Sequence, residues 1–251
     1  MKYAIITGAS KGLGEGIARK MLEENINVIA ISRTENEELR TAASNGTAEY
    51  SYYPCDLTSA NEIRDVFSKV SEAVFHDQLQ AVYLINNAGV VDPIETVGEL
   101  EEAAVLRNIQ VNLTAPILIT NLFVKTAEER GKHLLIANVT SGAAERPSHG
   151  WSIYCSTKSA INMFTETAAL EFTNKQSQTV IFGYSPGIMD TEMQETIRSS
   201  SKEAFSEIER FKEFKEKGML RPPSVVANAL VKLILEKSIE NGKVYHVNDL
   251  L

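Results

Sequence analysis

The sequence predicts one α/β domain: a doubly wound, seven-stranded parallel sheet with helices on both faces. Three observations carry this expectation. Short apolar runs alternate with helix-periodic segments along the whole chain. A glycine-rich turn, Gly8-Ala-Ser-Lys-Gly-Leu-Gly14, directly follows the first apolar run. No Gly/Ser-rich linker or internal repeat divides the 251 residues, so 1–251 reads as a single domain with a full core.

Tyr3-Ala-Ile-Ile-Thr is the first strand. The glycine turn opens a helix with Ile17, Ala18, Met21 and Leu22 on one face, and Asn27–Ser32 is a second strand ending at Arg33. Strand, glycine turn, helix, strand is a mononucleotide-binding unit. Its glycines let backbone approach a pyrophosphate, and the helix N-terminus offers unpaired N–H groups and a favourable dipole. Gly8, Ser10, Lys11, Gly12, Leu13 and Gly14 are therefore candidate cofactor contacts.

A helix is expected over residues 35–44 and a third strand over 49–54, leading to Cys55-Asp56-Leu57. Thr58 or Ser59 would cap the next helix. Ala81–Ile85 is a fourth strand running into Asn86-Asn-Ala-Gly89. Residues 90–103 read as a loop with a short helix, and 104–129 as a long helix interrupted near Asn112 and Pro116. Leu134-Leu-Ile-Ala-Asn-Val-Thr is a buried fifth strand, followed by a helix over 153–172 and a sixth strand over 179–184. The charge-rich segment 192–218 carries Phe205, Ile208, Phe211 and Phe214 at helical spacing, a packing stripe or a lid over a substrate. A last helix (224–237) and a strand (243–247) complete the chain.

With 25 basic and 33 acidic residues the net charge is −8, and no basic stripe appears. Nucleic acid and anionic membranes are thus not expected partners. No secretory signal or spanning-length apolar run is present. Cys55 and Cys155 fit no metal spacing, so no metal site is expected. These features point to a cytoplasmic protein.

Tyr154 and Lys158 stand four apart near the start of a helix, which places phenol and ammonium on one face. A nearby cation favours a phenolate and should lower the tyrosine pKa. A hydroxyl from the preceding strand, Ser141, could hold a carbonyl oxygen beside the phenol. Together they form a device for protonating a carbonyl as it is reduced.

The ordered set Thr7-Gly8-x-x-x-Gly12-x-Gly14, Asp56-Leu57, Asn86-Asn-Ala-Gly89, Asn112, Ser141, Tyr154-x-x-x-Lys158 and Pro186-Gly187-x-x-x-Thr191 resembles the short-chain dehydrogenase/reductases, with their Rossmann-type fold, over the full length. Gly150-Trp-Ser-Ile-Tyr-Cys, the run from Pro186 to Gln194, and Lys215-Glu-Lys-Gly-Met-Leu are most similar to sepiapterin reductases and bacterial benzil reductases that form (S)-benzoin. The resemblance implies Tyr154 as proton donor, Lys158 as its modulator and ribose ligand, Ser141 as carbonyl-orienting residue, and Asn112 as holder of a relay water. It also implies cofactor contacts from Asp56 and Leu57 to the adenine, from Asn86, Asn87 and Ala88 at the central sheet, and from Pro186, Gly187, Ile188 and Thr191 to the nicotinamide amide and phosphates. Homodimers are common in the family.

An NAD site needs a carboxylate at the end of the second strand. Here Ser32-Arg33-Thr34 precedes any acid, and Lys11 adds a second cation, so NADP(H) is expected. A reduced NADPH pool favours carbonyl reduction. The substrate would be a small-molecule ketone or 1,2-diketone, lined by Ser141, Trp151, Tyr154, Gly187, Met189 and Met193. Sepiapterin reductases anchor the pterin through a C-terminal carboxylate, and the corresponding position here is Asn248. Asp190 could line the pocket or cap the following helix. Pterin reduction and a non-catalytic NADPH-binding role on the same fold are the alternatives.

Overall fold

The computed structural model describes residues 1–251. Seven strands, β1 (Lys2–Thr7), β2 (Asn27–Ser32), β3 (Tyr50–Pro54), β4 (Ala81–Asn86), β5 (Leu134–Val139), β6 (Thr179–Ser185) and β7 (Val244–His246), form one sheet in the order β3-β2-β1-β4-β5-β6-β7. Every pairing is parallel. The chain winds outward from β1 in one direction and from β4 in the other. That reversal opens a crevice at the carboxyl ends of β1 and β4, where this architecture binds ligands.

The continuous apolar runs have a direct cause. Successive strand residues point to opposite faces, and helices cover both, so each strand needs apolar residues throughout. Ile6, Ile85, Ala137 and Phe182 join the helices α1 (Gly12–Glu23) and α9 (Pro223–Glu236) in one core. Their neighbours Ile5, Leu84, Ile136 and Ile181 join α3 (Ala60–Val74), α5 (Ala115–Arg130) and α6 (Ser152–Asn174) in the other.

Several boundaries differ from the sequence expectation. Helix α2 (Glu37–Ser44) starts after Asn36, whose side chain accepts from the N–H groups of Glu38 and Leu39. Ser59, not Thr58, caps α3. No helix forms between residues 90 and 101; Glu95 instead bridges to Trp151. The interrupted long helix is α4 (Glu102–Ile109), a π-helical turn (Gln110–Thr114) containing Asn112, and α5. Pro116 is the second residue of α5, directly after the π-helical turn, where the helical backbone runs on from Thr114. The 192–218 segment is two helices, α7 (Glu192–Arg198) and α8 (Ile208–Glu216), with Phe205 in the link between them.

A buried polar ladder ties the middle of the sheet to α6. Asn86 and Asn138 are register partners on β4 and β5. Asn86 Nδ2 donates to Asn138 Oδ1 (2.8 Å), and Asn138 Nδ2 donates to Thr165 Oγ1 on α6 (2.9 Å).

Candidate active site

The glycine turn is built for close backbone approach. A Cβ on Gly14 would stand 2.2 Å from the Gly8 carbonyl oxygen and 2.5 Å from Asn87 Nδ2. Gly8 and Gly12 have φ of +68° and +61°, a region that favours glycine. Lys11, the N-cap of α1, makes no side-chain cap, so no side chain covers the first-turn N–H groups. These features fit a diphosphate at the helix N-terminus. Asn87 Nδ2 donates to the carbonyls of Thr7 (2.9 Å) and Gly8 (3.3 Å), and Thr7 Oγ1 accepts from the N–H groups of Asn87 and Ala88. Asn87 thus braces the turn, whereas the Asn86 amide is engaged within the sheet.

At the end of β2, Arg33 is exposed and forms no ion pair, while Glu35 pairs with Arg40. Thr34 is exposed beside Arg33. Asp56 Oδ1 accepts from the N–H and hydroxyl of Thr58 (both 2.9 Å), and these bonds together with the Arg33 charge hold its carboxyl below the usual range. Leu57 is buried. Lys11 is paired with Glu192 of α7, so one of the two expected cations is partly neutralised. The Thr191 methyl lies 3.6 Å from where a Cβ on Gly12 would stand, which brings the Pro186–Thr191 segment to the glycine turn. Gly187 has φ +68°. Ile188 O accepts from Arg221 N (3.2 Å), and Asp190 N donates to Arg221 O (3.0 Å). Asp190 does not cap α7: its carboxylate accepts from Lys215 Nζ at 2.9 and 2.7 Å.

Tyr154, Lys158 and Ser141 come together at the carboxyl end of β5. Tyr154 and Lys158 are both buried, with Lys158 Nζ 5.8 Å from the Tyr154 ring centre and donating to Val139 O (2.9 Å). The expected lowering of the tyrosine pKa by the lysine is not found in this state. Burial pushes Tyr154 up, opposed by a hydrogen bond with Ser141, and burial pulls Lys158 from 10.5 down to about 8. Desolvation disfavours both charged forms and outweighs their proximity.

Asn112 is buried in the π-helical turn. Its Oδ1 accepts from Val90 N (2.9 Å), and its Nδ2 donates to Val90 O and Asn108 Oδ1 (both 2.8 Å). The extra residue of the turn aims this side chain at the loop after β4. Asn112 Oδ1 and Lys158 Nζ lie 3.3 and 3.6 Å from the point where a Cβ on Gly89 would stand, so both face the same space.

Beside Tyr154 lies a small aromatic core: Trp151, Phe205 and Phe211 with Val91, Ala143, Ile197 and Ile208, and Met193 packed against it. Trp151 stacks on Phe205 (4.7 Å between ring centres, 22°) and meets Tyr154 edge-on at 5.4 Å. Of the other expected substrate residues, Met189 packs on the main core, and Asn248 is exposed on the turn after β7. Phe205 and Phe211 belong to the stripe read from the sequence as packing or a lid, whereas Asn108 was not singled out, and no spacing marks it. A surface hollow lined by Ala127, Gly131, Lys132, Lys175 and Thr179 lies at the opposite, amino-terminal end of the strands and holds none of this chemistry.

The short chain dehydrogenase model matches residues 2–202. The protein belongs to the short-chain dehydrogenase/reductase family. It is 41% identical over 251 residues, covering both chains completely, to the benzil reductase ((S)-benzoin forming) of Bacillus subtilis (strain 168). Sepiapterin reductase of Bos taurus is 27% identical over 248 residues, 95% of this chain and 91% of the relative. The crystal structure of the KRED1-Pglu enzyme superposes with a TM-score of 0.82 at 26% identity, covering 98% of this chain and all of that one. As a family member the protein is an oxidoreductase acting on CH–OH/C=O groups. No helix of this chain is long and apolar enough to cross a membrane.

The Lys158 environment has a pH signature. Between about pH 8 and 10.5 the unfolded chain binds more protons at this residue than the folded one, so its contribution to stability rises with pH across that window. Below it, burial of the ammonium costs on the order of 3 kcal/mol. Without cofactor, Lys158→Met should be more stable than the parent at about pH 7, and the gap should close toward about pH 10.5. Urea unfolding at both pH values checks this, and a pH-independent gap would contradict it.

Proposed function

We propose that the protein is an NADPH-dependent carbonyl reductase that converts a vicinal diketone of benzil type to the (S)-hydroxyketone. The carrying observation is the contact between the Ser141–Tyr154–Lys158 group and the aromatic core of Trp151, Phe205 and Phe211. The name carried by the Bacillus relative supports the substrate class.

The residue roles follow from this placement. Gly8, Ser10, Gly12, Leu13 and Gly14 would hold the diphosphate at the N-terminus of α1, and Arg33 and Lys11 the 2′-phosphate. Thr34, Asp56 and Leu57 would flank the adenosine end. Asn87, Ala88, Pro186, Gly187, Ile188 and Thr191 would line the crevice toward the nicotinamide. NADPH, when bound, supplies the hydride to the carbonyl carbon. The Ser141 hydroxyl orients the carbonyl oxygen, and the Tyr154 hydroxyl gives it a proton. Burial that raises the Tyr154 pKa keeps that proton in place at neutral pH, as an acid in a reduction requires. Lys158, released from Val139 O, would bind the nicotinamide ribose and favour the phenolate left after transfer. A water between Asn112 and Lys158 would return the proton from the Gly89 side.

The pterin reading is less favoured, because Asn248 is exposed and carries no charge. The dimeric state expected of the family has a candidate surface. Leu106 and Ile109 on α4, Leu118 on α5, and Met163 and Leu170 on α6 are exposed apolar residues, and α4 packs beside α6. We infer that a second copy covers them.

Purified protein should consume NADPH with benzil and yield (S)-benzoin on a chiral column, with sepiapterin the poorer substrate. Tyr154→Phe should reduce turnover by at least about a thousandfold while NADPH still binds, general acid catalysis and carbonyl orientation both being lost. Substantial residual turnover would refute the assignment. Arg33→Ala should lower kcat/KM for NADPH about tenfold or more while leaving NADH nearly unchanged, since only the phosphate contact is removed; parallel losses would count against the NADP(H) reading. In sedimentation, the double variant Met163→Glu/Leu170→Glu should run as a monomer where the parent runs as a dimer. An unchanged coefficient would place the interface elsewhere.

A further inference from the structure

Trp151 is the only tryptophan in the chain, and its indole Nε1 is enclosed without a hydrogen-bond partner. The residue is 7% exposed. An indole N–H can only donate, and a buried donor left unpaired is costly. Its surroundings offer it little. Phe205 stacks on the ring, and Phe211 and Tyr154 meet it edge-on at 5.5 and 5.4 Å. Val91, Ala143, Ile197 and Ile208 complete the cluster with apolar side chains. No side chain of the cluster accepts a hydrogen bond from the indole. The missing acceptor is therefore expected from a ligand, at a place adjoining the tyrosine that receives the reacting carbonyl.

We propose that Trp151 Nε1 donates a hydrogen bond to the second oxygen of an α-dicarbonyl substrate, the one beside the carbonyl being reduced, and so selects vicinal diketones over simple ketones. This rests on the carbonyl reductase reading above and adds the group that distinguishes substrate classes. The stacked ring also supplies a flat surface for the substrate's aryl group. After reduction the same N–H still faces a carbonyl oxygen, since only one of the two has become a hydroxyl.

The test compares benzil with deoxybenzoin, the monoketone of the same carbon frame, using NADPH as reductant. Two variants are measured beside the parent: Trp151→Phe, and the parent chain with β-(3-benzothienyl)alanine at position 151. The latter keeps the fused ring and replaces the N–H by sulfur, so packing and folding are preserved if the phenylalanine variant is unstable. The ratio of kcat/KM for benzil to that for deoxybenzoin should fall about tenfold in the sulfur isostere, as expected for one lost net hydrogen bond. An unchanged ratio in the isostere, with the parent active on benzil, overturns the proposal and leaves the reductase reading intact. A parent inert toward benzil and deoxybenzoin overturns the diketone reading and this inference with it.

Discussion

The site depends on the hydrogen bond from Asn86 to Asn138 and its continuation to Thr165. Placing three polar side chains between apolar sheet and apolar helix is costly unless every partner is present. Here both amide donors are matched in a chain that links β4, β5 and α6, and only Asn86 Oδ1 is left without a partner. Ser141 follows Asn138 by three residues, and Lys158 precedes Thr165 by about two helical turns. A slip at the ladder would part the hydroxyl from the phenol and the ammonium. The Ser141–Tyr154–Lys158 group is in this sense positioned from beneath, by the β4–β5–α6 ladder.

Burial then sets the charge state of what the ladder positions. Tyr154 and Lys158 were read from their spacing as an ion-favouring pair, but spacing says nothing about water. In the folded chain both are desolvated, so the phenol holds its proton more firmly and the lysine less firmly than in solution. The same Val139 carbonyl that partners Lys158 lies at the end of β5, so the lysine is held in place until another acceptor replaces it. Cofactor and substrate would enter a site whose acid is already in the donating form.

The strands were legible because a sheet covered on both faces demands unbroken apolar runs, and Ile5-Ile6, Leu84-Ile85 and Phe182 leave little choice. The glycine turn was legible because Gly14 admits no Cβ. The interruption at Asn112 was visible, but not its form as a π-helical turn, which depends on Val90 across the loop. In segment 192–218 the stripe was legible as packing, but not the break between α7 and α8. Phe205 has the right period, yet it sits in the link between α7 and α8 and stacks on Trp151, a tertiary contact that overrides local spacing. Asp190 was offered as a cap because of its place before Thr191; Lys215, distant in sequence, claims it.

Phe205 and Asp190 belong to one structural unit, which packs against Trp151 and the loop before it. Gly150 has φ +82°, and a Cβ there would stand 1.9 Å from the Ala204 carbonyl oxygen, so the loop before Trp151 lies directly on the α7–α8 link. The Asp190–Lys215 pair joins the start of this unit to α8, and Lys11–Glu192 joins it to the glycine turn. Both pairs are exposed, where an ion pair is worth little, whereas the Trp151–Phe205 stack is buried. That stack is the buried joint between the start of α6 and the α7–α8 link, and Tyr154 meets the Trp151 ring edge-on from the other side of the cluster.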